Sequence, residues 1–263
     1  MRCRPAALCL PLALSLLAVL PCRAGDKLRV CYDDWPPYAA YTPAQGHQGL
    51  TLALLRQVFG ELHIELSFQS ATQSRCLKAA QTGLADMLLF SDQQQLPDWG
   101  RSQTPTEFWL LAAWVPQDSP LRRYTSIQQF HDQRVGMVRD YIYPEPIGSY
   151  TDWQPAIQGD AINSLRQLAA KRVDVFFEDL FWTRRMRQQK HLAVRMLRPL
   201  VAVQPQYHLY RPTWALAMTH FEQVVQALIE SGEMDRRYRA ALGISYDAIR
   251  RGDLGQVLQD EWD

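Results

Sequence analysis

AINSLRQLAAKR VDVFF ED, residues 161–179, holds three signals in a row. Residues 161–172 place apolar side chains at helical spacing. Residues 173–177 form a short apolar run rich in β-branched and aromatic residues, the mark of a buried strand. Glu178 and Asp179 then end that strand on two acids. Helix, buried strand and polar turn in under twenty residues is the unit from which α/β domains are built.

The same unit recurs outward from this stretch. Leu28–Tyr32, Ile64–Phe68, Ala85–Phe90, Phe108–Val115 and Arg134–Val138 read as strands. Gly49–Leu62, with Thr51 as its cap, and Ser74–Thr82, with Gly83 as its stop, read as helices. Ile127–His131 reads as a short helix, and Trp182–Lys190, Phe221–Ser231 and Met234–Leu242 as longer ones. Val201–Leu209 holds one or two further strands. This alternation predicts parallel sheet covered by helices on both faces. In open sheets of that kind a ligand sits beyond the carboxyl ends of the strands. Four loops qualify: those after Tyr32, Phe90, Val138 and Phe177.

The first loop, Asp33-Asp34-Trp35-Pro36-Pro37-Tyr38, combines acids with aromatics on a stiff proline pair. Asp33, Trp35 and Tyr38 are its candidate ligand-binding residues; aromatic faces suit flat or cationic groups. The second loop offers Phe90, Ser91 and Gln93 as apolar and hydrogen-bonding contacts. The third offers Arg139, which can hold a carboxylate bidentately or pair with a surface acid, and Tyr141. In the fourth, Asp179 can take an ammonium group, cap the following helix, or both.

The 263 residues carry 28 Lys and Arg against 27 Asp and Glu, a net charge of +1. That balance argues against a nucleic-acid partner. Arg2 and Arg4, the apolar run Ala6–Leu20 and a cleavage point after Ala24 form a secretory signal over residues 1–24. Its removal takes three arginines, leaving 25 basic against 27 acidic residues, or −2. Two cysteines remain, Cys31 and Cys76; in an oxidising compartment they are either bridged or buried as free thiols. No metal-ligand spacing, phosphate-cradling glycine loop or nucleophile motif is present, so no metal, cofactor or catalytic residue is expected. The six histidines are scattered.

Taken together, Leu28-Arg29-Val30, Trp35-Pro36-Pro37-Tyr38, Gly49, Ala79 to Asp86, Val135 to Val138 and Lys171 to Asp179 resemble the family 3 extracellular solute-binding proteins, the amino-acid-type receptors of ABC importers. The resemblance spans nearly all of residues 26–245. It implies two α/β lobes of the type II periplasmic binding fold, joined by two crossing strands near Leu111–Val115 and Gln206–Arg211. The lobe bounds become 25–112 with 211–263 and 113–210. The implied protein is a periplasmic monomer that is not an enzyme, with a small-molecule ligand and an ABC permease or membrane sensor as partners. A dehydratase-like enzyme on the same fold and a partner-binding sensor module are the alternatives.

In the family, Asp179's counterpart holds the ligand amino group, and an arginine in or just after the second loop grips its carboxylate. Here that stretch is Gln93-Gln94-Gln95-Leu96-Pro97-Asp98, without a base. Arg75 and Arg139 are the candidate replacements; Arg101 lies further along.

Overall fold

The structure, a computed structural model, describes residues 27–255. The expected signal, residues 1–24, lies outside them. In chain order the strands are β1 (Lys27–Tyr32), β2 (Ala40–Thr42), β3 (Gly46–Gln48), β4 (Glu65–Ser70), β5 (Met87–Leu88), β6 (Gly100–Arg101), β7 (Glu107–Pro116), β8 (Arg134–Val138), β9 (Gln154–Gln158), β10 (Val175–Asp179), β11 (Val194–Gln206) and β12 (Leu209–Tyr210). The α-helices are α1 (Leu50–Glu61), α2 (Gln73–Gln81), α3 (Ala161–Ala169), α4 (Leu180–Lys190), α5 (Ala215–Glu230), α6 (Glu233–Leu242) and α7 (Tyr246–Arg251).

The strands form two five-stranded sheets, ordered β4-β1-β5-β12-β6 and β11-β7-β10-β8-β9; β2 and β3 make a separate hairpin. Both sheets are mixed, which corrects the expectation of parallel sheet throughout. β1 runs parallel to β4 and β5, and β8 parallel to β9 and β10. The strands flanking the crossings, β7, β11 and β12, pair antiparallel. A chain that leaves one sheet and later returns must reverse direction, and simple alternation of elements does not reveal that.

The chain passes between the sheets at residues 102–106 and 207–208. The first crossing therefore precedes the expected Leu111–Val115, which lies inside β7 and is fully buried in the second sheet. The two segments are tied to each other. Ser102 N donates to His208 O and His208 N to Ser102 Oγ, each at 2.9 Å. The Thr106 hydroxyl lies 2.9 Å from His208 Nε2. Tyr238 on α6 and Tyr246 on α7 donate to the carbonyls of Thr106 and Pro105. His208 and Glu107 are both buried, and desolvation lowers His208 to about 3 and raises Glu107 to about 8, so both are neutral near pH 7.

Two of the parallel strand pairs, β1–β5 and β8–β10, are locked at their start in the same way. Arg29 on β1 grips Asp86 ahead of β5 through two bonds of 2.6 Å. Arg134 on β8 grips Asp174 ahead of β10 at 3.0 and 2.6 Å. Forked guanidinium–carboxylate pairs of this kind fix register as well as adding energy.

Helix α1 starts at Gly49, with φ 130°, where a Cβ would stand 2.2 Å from Tyr38 O. The close approach of α1 to the first loop thus requires glycine. Thr51, expected as the cap, is instead buried and donates to Glu107. Cys31 on β1 and Cys76 on α2 are bridged, as the oxidising-compartment argument favoured.

Candidate functional site

A cavity of about 320 Å³ opens between the two sheets. All four loops singled out in the sequence contribute to its wall: Asp33 to Trp35, Phe90 to Asp92, Asp140 to Ile142, and Glu178 with Trp182 beyond it. Phe90 and Asp140, on loops from opposite sheets, both hold left-handed backbone, with φ 55° and 64°. Such non-glycine conformations are strained and gather where the surroundings fix them.

Three hydrogen bonds join the loops of the two sheets across the cavity mouth. Tyr141 OH donates to Asp33 Oδ2 at 3.1 Å. Gln95 Nε2 donates to Asp140 O at 2.7 Å, and Ser74 Oγ donates to the Asp140 carboxylate. On the first-sheet side, Gln73 Nε2 donates to buried Ser91 Oγ at 3.0 Å, which in turn donates to Leu89 O.

The wall is aromatic and acidic. Trp35 packs edge-on against Phe90 at 5.0 Å, and Trp109 against Tyr141 at 5.8 Å. Glu178 is 4% exposed; its Oε1 accepts from Trp109 Nε1 at 3.2 Å and from Asp179 N at 2.8 Å. Its Oε2 is buried and has no hydrogen-bond partner among the described residues. Burial pushes Glu178 up to about 8 and Asp33 up to about 6. Arg101, the one basic side chain on the wall among the described residues, lies 4.3 Å over the Tyr207 ring.

Of the sequence candidates, Asp33, Trp35, Phe90, Ser91 and Tyr141 line the cavity. Five do not. Tyr38 is fully buried behind Trp35, 4.7 Å between ring centroids. Arg75, Gln93 and Arg139 are exposed and stand off the wall, with the Gln93 amide turned onto Trp99 O at 2.8 Å. Asp179 is fully buried and points into the protein, where it accepts from Trp182 N at 2.8 Å and Leu110 N at 3.2 Å. The helix-cap reading of Asp179 is the one the geometry realises. Desolvation raises its carboxyl to about 6. Strand alternation explains the pair: successive side chains on β10 face opposite ways, so only one acid can face the cavity.

Sequence reasoning missed Gln73, Trp109, Gln204 and Tyr207 and set Arg101 aside. Gln204 and Tyr207 flank the second crossing and Arg101 the first. Their place on the wall follows from the crossings rather than from any strand's carboxyl end. Among the described residues no group of three His, Cys, Asp or Glu stands together as metal ligands, and no helix is long and apolar enough to cross a membrane.

No protein-family model and no curated protein matches the chain by sequence. Solved structures do match by shape. A mutant of ArgBP from T. maritima shares 15% identity at a TM-score of 0.69, over 82% of this chain and 95% of that one. The substrate-binding protein of an amino acid ABC transporter shares 13% at 0.70, over 82% and 99%. A histidine kinase sensor domain with similarity to periplasmic binding proteins shares 19% at 0.71, over 83% and 97%. At such identities the likeness is one of architecture: the chain has the two-lobed α/β fold of the periplasmic binding proteins.

Proposed function

We propose that this chain is a solute-binding protein, exported to the periplasm as a monomer, that closes two lobes over a small polar solute. The observation that carries the reading is the cavity itself. It lies between the sheets, draws its wall from both, and is bridged at its mouth by three cross-sheet hydrogen bonds. Its volume of about 320 Å³ stands at the lower end of the roughly 300–1,000 Å³ typical of small-molecule sites. In this reading the first lobe comprises residues 27–101 and 209–255, and the second residues 107–206. Hinge closure about the tied crossings is the working motion. No step of chemistry is assigned.

The solute is then passed to an ABC-type permease or reported to a membrane sensor. A substrate-binding protein of an amino acid ABC transporter shares the scaffold and favours the first route; a histidine kinase sensor domain shares it too and gives the second route weaker support. The test is thermal unfolding of residues 25–263 with a panel of amino acids, amines, organic acids and short peptides. A solute present at a hundred times its Kd adds about 2.7 kcal/mol to the folded state. A panel that moves the transition nowhere, together with an unchanged radius of gyration, removes the proposal.

A further inference from the structure

The chemistry of the wall narrows the solute. Asp33, Asp34, Asp92, Asp140 and Glu178 face the cavity against Arg101 alone. Four of those acids are already engaged. Asp33 accepts from the Tyr141 hydroxyl at 3.1 Å. Asp34 accepts from Ser70 at 2.6 Å, Asp92 caps the short helix Gln93–Gln95, and Asp140 takes the Ser74 hydroxyl. Glu178 is different. It is almost wholly buried, one oxygen is held by Trp109, and the other is left without a donor at the cavity wall. A buried carboxyl oxygen without a donor is costly, and a ligand N–H is the group that relieves it. Around it stand Trp35, Trp109, Tyr141 and Trp182, whose ring faces attract a cation.

Resting on the solute-binding reading, we propose that the solute is an organic cation, a primary amine or an amidinium-type group, seated with its nitrogen on Glu178 Oε2 among the aromatic rings, and that it needs no carboxylate. The expected carboxylate clamps, Arg75 and Arg139, stand off the wall. Arg101 is stacked on Tyr207, beside the crossing. The solute's charge also accounts for the acid's own state. The titratable groups facing Glu178 are the acids Asp33 and Asp179 and the phenols of Tyr141 and Tyr143; none is a base. With no cation beside it, Glu178 stays protonated near pH 7, so cation binding expels its proton.

Two matched pairs decide the matter: agmatine against arginine and cadaverine against lysine, each pair differing only by the carboxylate. They are titrated calorimetrically into the mature protein at pH 7 in two buffers of different ionisation enthalpy, with succinate and glucose as anionic and neutral probes. The amines should bind at least as tightly as their amino acids and release protons. Glu178→Gln, which keeps the Trp109 bond, should weaken them roughly 10- to 100-fold. Arg75→Gln, at a residue that stands off the wall, should leave them unchanged. If Glu178→Gln fails to fold, Asp33→Asn should weaken the amines in the same direction. An amino acid that binds where its amine does not, or succinate or glucose binding undisturbed by Glu178→Gln, overturns the cation while upholding the solute-binding reading. Failure of every probe and of the wider panel overturns both.

Discussion

Glu178 and Asp179 are neighbours on one strand and serve opposite sides of it. Glu178 faces the cavity, whereas Asp179 spends both oxygens on backbone N–H groups of α4 and β7. Asp179→Ala is therefore a stability variant. Loss of its cap and of the Leu110 contact should cost about 1–3 kcal/mol in urea unfolding. A large loss of solute affinity at unchanged stability would return Asp179 to the ligand. The sequence motif places an acid at the end of β10 correctly. Which of two adjacent acids looks outward depends on strand phase, and the three consecutive apolar residues before them, Val175-Phe176-Phe177, leave that phase unmarked. The same limit explains Tyr38, indistinguishable from Trp35 by composition yet buried behind it.

At the scale of elements, strands bounded by glycine, proline and acids and helices with clear periodicity were legible: β1, α1, α2, β7, β8, α3, β10 and α4 all fall close to their sequence readings. Two-residue strands such as β6 and β12, and the half-exposed β9, carry too few residues for any pattern. The start of β11 is hidden by Arg195, Arg198 and Pro199, which break its apolar run although Arg195 is buried against the carbonyls of Gln117, Ser119 and Leu121. Two elements offer direct tests. The Cys31–Cys76 bridge closes a 45-residue separation between β1 and α2. By chain entropy alone, the double Cys31→Ala, Cys76→Ala variant should lose about 4 kcal/mol, read as a lower denaturant midpoint. An unchanged midpoint would mean that the packing of α2 holds the lobe unaided. Gly49→Ala should cost roughly 2–3 kcal/mol, because its Cβ meets the Tyr38 carbonyl and its φ is 130°.

Over the whole molecule, four desolvated acids dominate the pH response, three of them buried and Asp33 half-buried at the cavity. Asp33 and Asp179 rise to about 6, and Glu107 and Glu178 to about 8. Their unfolded values lie near 4. The folded chain thus holds more protons than the unfolded chain between about pH 4 and pH 8, and stability falls as pH rises through that window. Acids held low by partners, such as Asp86 and Asp174, act in the opposite sense at lower pH, and His208, lowered to about 3, opposes the four acids up to its unfolded value near 6.5 but is outnumbered by them. The solute-free protein should show a higher urea midpoint at pH 5 than at pH 8; the reverse order would mean that these carboxyls are ionised in the fold. The two-lobed design was legible at this scale, and the first crossing was placed too late because β7 looks the same from sequence whether it bridges lobes or lies within one.

The bonds joining Ser102 and Thr106 to His208 make two separate lengths of chain turn together. Two independent straps would let the lobes slide, tilt and twist in combination. Straps stitched side by side leave one principal rotation, so under the proposed closure occupancy would be written into a single angle. A pair of fluorophores, one on each lobe, should then switch between two discrete distances on solute addition, with no continuum between them. Such a molecule is mechanically a two-position needle, legible to anything that touches both lobes at once.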